Sequence, residues 1–216
     1  MITSVIFDMD GVLIDSQPIH FKSDILTIKN YGVVVTQKDL EKFAGTTNKT
    51  RFQLYKDEFN IDADINEMII LREKIAMELF NQTPLVAIDG IKNLLIDLKG
   101  KGIKTAVASS SGYELIYIVL DKIGISQYYD KILSGEDVKN GKPEPDVFLG
   151  VAKLLDSLPK ECVVIEDSTN GVIAGVSAGM KVIGYKNITS GNQDLSKANV
   201  IINNFNDINA DSILKL

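Results

Sequence analysis

The sequence is poor in the features that mark exported or membrane-bound proteins. It has one cysteine in 216 residues, so no intrachain disulfide can form. That residue, Cys162, lies in an apolar run, which favours a buried structural thiol. The N-terminus lacks a basic segment, and no run approaches the roughly 18–20 apolar residues of a membrane span. We therefore expect a cytoplasmic protein with no membrane partner.

The chain also lacks the excess of positive charge that nucleic acid binding requires. Lys and Arg number 23 against 29 Asp and Glu, which gives a net charge of −6. This balance argues against a nucleic acid partner. It does not exclude a small anionic substrate, because a bound metal ion and one or two lysines can reverse the field locally.

Short apolar runs rich in β-forming residues alternate with helical patterns along most of the chain. This alternation predicts an α/β fold with a Rossmann-like, mostly parallel sheet. The spacing of apolar residues over 91–98 predicts a crossover helix, with Gly100 as its C-terminal cap. The predicted strands are Ser4–Phe7, Lys104–Ala108, Lys131–Leu133, Cys162–Ile165, Val182–Tyr185 and Val200–Ile202.

Residues 16–84 break this alternation, because they contain several helical patterns and no convincing strand. A crossover needs one helix, so the extra residues predict an inserted helical subdomain. We expect residues 1–15 and 85–216 to form the sheet-containing core and residues 16–84 to form a cap at the carboxyl ends of the strands, where such sheets bind ligands.

The strongest chemical signal is the segment Asp8–Val12 (DMDGV), which directly follows the first predicted strand. Asp8 and Asp10 would lie side by side at the carboxyl edge of the sheet, and Gly11 permits a sharp exit. Two carboxylates so close repel each other unless a cation or a shared proton intervenes, which favours a Mg²⁺ site. The alternative is a solvated turn or a helix cap.

Three further segments end predicted strands or precede a helix with groups suited to phosphate and metal. Ser109–Ser111 offers hydroxyls and amides, Lys142 offers a positive charge, and Glu166 with Asp167 forms a second acidic pair. Each has an ordinary alternative, namely helix capping by the serines or by Asp167, and an exposed turn for the lysine.

The four segments in this order are the motif set of the haloacid dehalogenase-like phosphatase superfamily, which the sequence resembles over nearly its whole length. The segments DMDGV, GTT (residues 45–47), KPEPD (142–146) and EDSTNG (166–171) resemble the helical-cap subgroup. That subgroup includes β-phosphoglucomutases and sugar-phosphate phosphatases.

The resemblance implies a covalent mechanism. Asp8 would be the nucleophile that forms an aspartyl-phosphate, and Asp10 would be the general acid and then the general base. Because the dehalogenase branch lacks the second aspartate, an alkyl halide substrate is disfavoured.

The resemblance also implies a set of binding residues, and one active site per chain with a self-contained lid makes a monomer the expected state. Ser109, Ser110 and Lys142 would hold the transferring phosphoryl group of a small phosphorylated substrate. Mg²⁺ would bind Asp8, Asp10 through its backbone carbonyl, Glu166 and Asp167.

The cap is expected to select the substrate. His20, the only histidine, shares a polar helical stripe with Asp24 and Thr27, which by position alone would face solvent. The resemblance instead places His20 near the acid/base aspartate. By the same resemblance the cap residues that meet substrate would be Gly45, Thr46 and Lys74, although Thr46 could cap a helix and Lys74 could pair with Glu78.

The sequence departs from the mutases of the subgroup at the site of their second phosphate. The mutase arginine after the cap-loop glycine is replaced by Asn48, and the lysine and asparagine after the core serines are replaced by Gly112 and Tyr113. We therefore favour a sugar-phosphate phosphatase over a mutase, although Arg51 or Lys49 could restore the second site. A catalytically idle binding or regulatory protein is the third hypothesis.

Overall fold

The computed structural model describes residues 1–43 and 48–216. The chain forms two compact units. The larger unit comprises Met1–Asp15 and Leu85–Leu216, and the smaller unit comprises Ser16–Pro84.

The larger unit is built on a six-stranded sheet whose neighbouring strands are all parallel. The spatial order is β3-β2-β1-β4-β5-β6. The predicted α/β class with a Rossmann-like parallel sheet is confirmed. The strands are β1 (Ser4–Phe7), β2 (Lys104–Ser109), β3 (Lys131–Ser134), β4 (Cys162–Glu166), β5 (Lys181–Tyr185) and β6 (Val200–Ile202).

Helices cover both faces of this sheet, so its central strands β1 and β4 are buried along their whole length. Phe148, Val151 and Val172 pack with Ile6 and Val164 in the core. Helices are numbered in chain order, so those of this unit begin at α5, after the helices of the smaller unit. They are α5 (Ile91–Gly100), α6 (Tyr113–Lys122), α7 (Asp146–Leu154), α8 (Thr169–Ser177) and α9 (Ala210–Ile213).

The end of α5 differs from the sequence prediction. Gly100 is the last helical residue, and the left-handed conformation is taken by Gly102, with φ of 71°. The N–H of Gly102 bonds to Lys99 O and that of Ile103 to Leu98 O, both at 3.0 Å. These are the two bonds of a Schellman motif, so the predicted cap at Gly100 is wrong by two residues.

The register of the sheet sets the positions of the strand ends. Phe7 pairs with Val107 on β2 and with Ile165 on β4. The next residue, Asp8, therefore lies between the carboxyl ends of β2 and β4. The chain runs from β1 to β2 and β3 on one side and returns to β4 on the other, and ligands bind at such a reversal of strand order.

The described part of the smaller unit is helical. Its core contains Phe43 and Phe52, whose rings each meet Tyr55 edge-on at 5.3 Å between centroids. Its helices are α1 (Gln17–Asn30), α2 (Gln37–Leu40), α3 (Asn48–Phe59) and α4 (Ile65–Gln82). Across residues 1–43 and 48–216, none of the helices combines the length and apolarity needed to cross a membrane.

A buried ionic cluster centred on Asp24 of α1 joins the helices of this unit. Asp24 Oδ2 accepts hydrogen bonds from Arg51 Nε (2.9 Å) and Tyr55 Oη (3.0 Å), and Oδ1 accepts one from Arg72 Nε (3.1 Å). Asp24 is only 3% exposed, and Thr27 is fully buried. The polar stripe of α1 therefore faces the interior at these two positions, because the arginines of α3 and α4 neutralise the carboxylate.

Asp24→Ala leaves two largely buried guanidinium groups without their carboxylate. Removing one partner of a buried ion pair costs about 3–5 kcal/mol. We expect the free energy of unfolding in urea to fall by about that amount. The matched control is Glu58→Ala, which breaks the exposed pair with Lys42 and should cost about 1 kcal/mol or less. Equal losses in the two variants would contradict a stabilising role for the Asp24 cluster.

Candidate active site

Asp8 lies at the centre of a cluster of charged side chains at the carboxyl edge of the sheet. It directly follows β1, and its backbone N–H donates to Ile165 O at 3.0 Å. The side chain is buried, with 6% of the residue exposed. One oxygen each of Asp8, Glu166 and Asp167 lie within 4.8 Å of one another.

Lys142 contributes the positive charge of this cluster from the segment that precedes α7. Its Nζ lies 2.5 Å from Asp8 Oδ1 and 2.7 Å from Glu166 Oε1, and it also donates to Ala108 O at 3.3 Å. The ammonium lies 4.8 Å from the centroid of the Phe148 ring. One lysine therefore contacts groups at or next to the carboxyl ends of three adjacent strands.

Glu166 is held through both of its carboxylate oxygens. Oε1 accepts from Lys142, and Oε2 accepts from the backbone N–H groups of Asp167 and Ser168 and from the Ser168 hydroxyl, each at 2.9 Å. Gly171 makes room for this carboxylate, because a Cβ there would lie 1.8 Å from the Glu166 carboxyl group. Donors to both oxygens therefore hold the Glu166 carboxylate in place next to Gly171.

Asp167 is packed against the loop that follows β1. Its Oδ2 accepts a hydrogen bond from the Ser190 hydroxyl, and a Cβ on Gly11 would lie 2.0 Å from the same oxygen. Gly11 adopts a φ of 78°, a conformation that a residue with a side chain rarely takes. Glycine at this position therefore allows both the turn and the close approach of the carboxylate.

The three carboxylates together carry more negative charge than Lys142 offsets. Burial raises the pKa of Asp8 to about 7, with Lys142 opposing the rise and Glu166 and Asp10 adding to it. Burial, and then Glu166 and Asp8, also raise the pKa of Asp167 well above its usual value. Burial alone would lower the pKa of Lys142, but the charges of Asp8 and Glu166 outweigh it and raise that pKa. Carboxylate oxygens in excess of the positive charge fit a hard divalent cation.

Asp10 and the serine segment lie beside this cluster. The half-buried Asp10 carboxylate accepts a hydrogen bond from Ser111 Oγ at 3.0 Å. Ser109, the buried last residue of β2, accepts from the Ser111 N–H at 3.1 Å, and Ser110 is exposed. The contact between Ser111 and Asp10 was not predicted, because the sequence around a serine in a turn does not indicate which residue about a hundred positions away it will contact.

The predicted residues of the smaller unit fall in different settings. His20 is half-buried on α1, and its Nδ1 lies 2.8 Å from Arg72 Nη2. A guanidinium nitrogen cannot accept, so His20 Nδ1 is the acceptor. Lys74 is exposed on α4, and Gly45 and Thr46 lie outside the described residues.

Arg72 is a residue that sequence reasoning missed. An arginine among the apolar residues of α4 is expected at the surface, yet Arg72 is 8% exposed and bonds to both Asp24 and His20. Its i, i+4 spacing from the apolar residues Met68 and Ala76, which are buried on α4, is a signal that could have placed it on the inner face.

Comparison with known proteins identifies relatives over most of the chain. A sequence model described as haloacid dehalogenase-like hydrolase matches residues 5–185. A phosphorylated carbohydrates phosphatase of Thermotoga maritima is 30% identical over 184 residues, which are 83% of this chain and 83% of that protein. The resemblance inferred from the four motifs is confirmed.

Solved structures of similar fold include a β-phosphoglucomutase of Clostridium difficile. It is 28% identical with a TM-score of 0.81, and the match covers 100% of this chain and 96% of that one. The CbbY protein of Rhodobacter sphaeroides, solved in complex with phosphate, has a TM-score of 0.87 over the whole of both chains. Its identity of 23% supports the fold alone.

Gly171→Ala tests whether the fit around Glu166 is as tight as the geometry indicates. Alanine normally stabilises a helix relative to glycine, but here the added methyl group collides with the Glu166 carboxylate. We expect the free energy of unfolding in urea to fall by about 1–3 kcal/mol. Gly100→Ala, in α5 with open space around the new Cβ, is the control and should leave stability unchanged or raise it by up to ~1 kcal/mol. A stabilised Gly171→Ala variant would contradict the described packing.

Proposed function

The chain belongs to the haloacid dehalogenase-like hydrolase family, and we propose that it is a Mg²⁺-dependent phosphatase of a small phosphorylated carbohydrate. The observation that carries the proposal is the buried Asp8 carboxylate, held 2.5 Å from Lys142 in a cluster with Glu166 and Asp167. A nucleophile for phosphoryl transfer needs this placement beside a positive charge. The phosphatase of T. maritima, named for phosphorylated carbohydrates, supports the substrate class.

The proposed reaction has two displacements at phosphorus. An oxygen of Asp8 attacks the phosphorus atom, the bond from phosphorus to the carbohydrate oxygen breaks, and Asp10 gives its proton to that oxygen. Asp10 then takes a proton from a water molecule whose oxygen attacks the phosphorus, and the bond from phosphorus to the Asp8 oxygen breaks, which releases inorganic phosphate and restores the Asp8 carboxylate. Lys142, Ser109 and Ser110 hold the phosphoryl group in this proposal.

Asp8, Asp167 and the backbone carbonyl of Asp10 would hold Mg²⁺, with Glu166 beside them. The oxygens of Glu166 already accept from Lys142 and from two N–H groups and a hydroxyl. This favours a role in holding Lys142 and the neighbouring loop over a role as a principal ligand of the ion. The ion would offset negative charge on the phosphoryl oxygens and on Asp8. We propose that the smaller unit selects the substrate and that His20 contributes to this selection.

Asp8→Asn tests the nucleophile. The amide lacks the negative charge and the nucleophilicity of the carboxylate, so release of phosphate from an aryl phosphate in the presence of Mg²⁺ should fall at least ~10³-fold. Asp121→Asn, an exposed residue of α6, is the matched control and should retain activity. Unchanged turnover by Asp8→Asn would overturn the assignment. Absence of turnover by the unaltered protein across a panel of sugar phosphates would favour the non-catalytic hypothesis.

Hydrolysis is favoured over mutase activity by the residues at the second phosphate site of the mutases. All three positions hold uncharged residues, Asn48, Gly112 and Tyr113. The Tyr113 hydroxyl donates to Asp137 at 2.7 Å. Arg51, one of the two basic residues that could replace the missing arginine, donates to Asp24 through Nε and to Asn48 Oδ1 through Nη2 at 2.7 Å. Its guanidinium is therefore engaged within the smaller unit.

The loss of a bidentate arginine has a large effect on the binding of a bisphosphate. Hydrogen bonds to charged groups contribute about 1.5–3 kcal/mol each, which corresponds to at least ~10–100-fold in affinity. A mutase must bind a bisphosphate between its two half-reactions, whereas a phosphatase needs only water. Mutase activity stays the second candidate because of the similarity to the β-phosphoglucomutase of C. difficile.

β-Glucose 1-phosphate with a trace of the 1,6-bisphosphate distinguishes the two reactions. We expect the wild-type protein to release inorganic phosphate and to form little glucose 6-phosphate, because the second phosphate lacks its arginine. The two products are measured in the same reaction, and Asp8→Asn supplies the background for both. Rapid formation of glucose 6-phosphate would replace the proposed hydrolase with a mutase.

A further inference from the structure

We infer that Ser190 is a positioning residue for the metal site, because its hydroxyl fixes the orientation of the Asp167 carboxylate. This inference rests on the proposed function, in which Asp167 is a ligand of Mg²⁺. Ser190 belongs to none of the four motif segments and lies 23 residues beyond Asp167. Ser190 lies near Asp167 because β4 and β5 are neighbouring parallel strands and each residue follows the carboxyl end of its strand.

The contact between the two side chains is buried. Ser190 is 6% exposed and Asp167 is 5% exposed. The Ser190 hydroxyl donates to Asp167 Oδ2. A hydrogen bond to a buried carboxylate is stronger than one in water and competes with little solvent, so it holds the carboxylate in one rotamer.

Gly11, in the loop after β1, lies directly against the same carboxylate oxygen. A Cβ on Gly11 would lie 2.0 Å from Asp167 Oδ2 and 3.0 Å from Ser190 Oγ. The donor and the glycine therefore confine Oδ2 from two directions. Under the proposed function, Oδ1 would then be the Asp167 oxygen that binds Mg²⁺.

The turn that carries Ser190 is itself attached to the loop after β1. Asn187 Nδ2 donates to the Gly11 carbonyl at 2.9 Å, and Asn187 Oδ1 accepts from the Thr189 N–H at 3.0 Å. The Thr189 hydroxyl donates to Asp15 Oδ1 at 2.8 Å. A serine anchored in this way is held in position before any ligand binds, which is what support of a metal ligand requires.

The test measures binding of Mg²⁺ alone to the full-length chain, without substrate. Calorimetric titration and the Mg²⁺ dependence of the melting temperature each give a dissociation constant. We expect Ser190→Ala to raise that constant about 10–100-fold, the range found when the hydrogen-bond partner of a metal ligand is removed. Ser190→Thr keeps a hydroxyl group and should restore most of the affinity.

The control and a second variant separate a positioning role from a purely structural one. Ser177→Ala removes an exposed hydroxyl at the C-terminal end of α8, away from Asp167 and from the turn that carries Ser190, and should bind Mg²⁺ as the wild type does. A purely structural Ser190 would lower the metal-free melting temperature of Ser190→Ala and leave its Mg²⁺ dissociation constant unchanged, which would overturn the inference. If Ser190→Ala does not fold, Ser190→Cys replaces it, because a thiol is a weak donor of similar shape.

Failure of the inference and failure of the proposed function give different results. If the wild-type protein does not bind Mg²⁺ at all, the metal assignment is lost, and with it the proposed mechanism. If the wild type and Ser190→Ala bind Mg²⁺ equally well, only the role of Ser190 is lost.

Discussion

A buried ammonium group that contacts two carboxylates at once ties together the strand ends of the larger unit. Lys142 bonds to Asp8 after β1, to Glu166 at the end of β4 and to the Ala108 carbonyl in β2. Charged groups this deeply buried are tolerated only when they are paired. Lys142 can make these three contacts only because the strands lie side by side in the order β2-β1-β4.

The same pairing leaves a negative excess that gives the site its chemical character. Asp167 adds a third buried carboxylate. It lies against Gly11 and accepts a hydrogen bond from the Ser190 hydroxyl, and both contacts restrict the rotation of its side chain. Small residues are as important here as the charged ones, because a side chain on Gly11 or Gly171 would occupy the space of a carboxylate. A cation at this edge would restore the charge balance, which is why metal binding and phosphoryl transfer are proposed for one location.

The smaller unit uses a buried ion cluster of opposite balance. Asp24 accepts from Arg51 and Arg72, so two positive charges share one carboxylate. Arg72 also donates to His20, which makes Nδ1 of the only histidine an acceptor. Arg51 and Arg72 are the two arginines of the sequence, and both bond to Asp24. This pairing supports the proposal that water, rather than a second phosphate-binding arrangement, completes the reaction.

The class of fold, the family and the bounds of the strands to within one residue could be predicted from the sequence. Strand periodicity and the four motifs are local properties, and residues that are close along the chain, such as Asp8 and Asp10, need no tertiary knowledge to be seen together. The contacts of Ser190 with Asp167, of Ser111 with Asp10 and of Arg72 with Asp24 and His20 became visible only in the folded chain. Each joins residues far apart in sequence, and each depends on strand order or helix rotation. The sequence pattern of a turn or a helix face does not encode which distant partner it will meet.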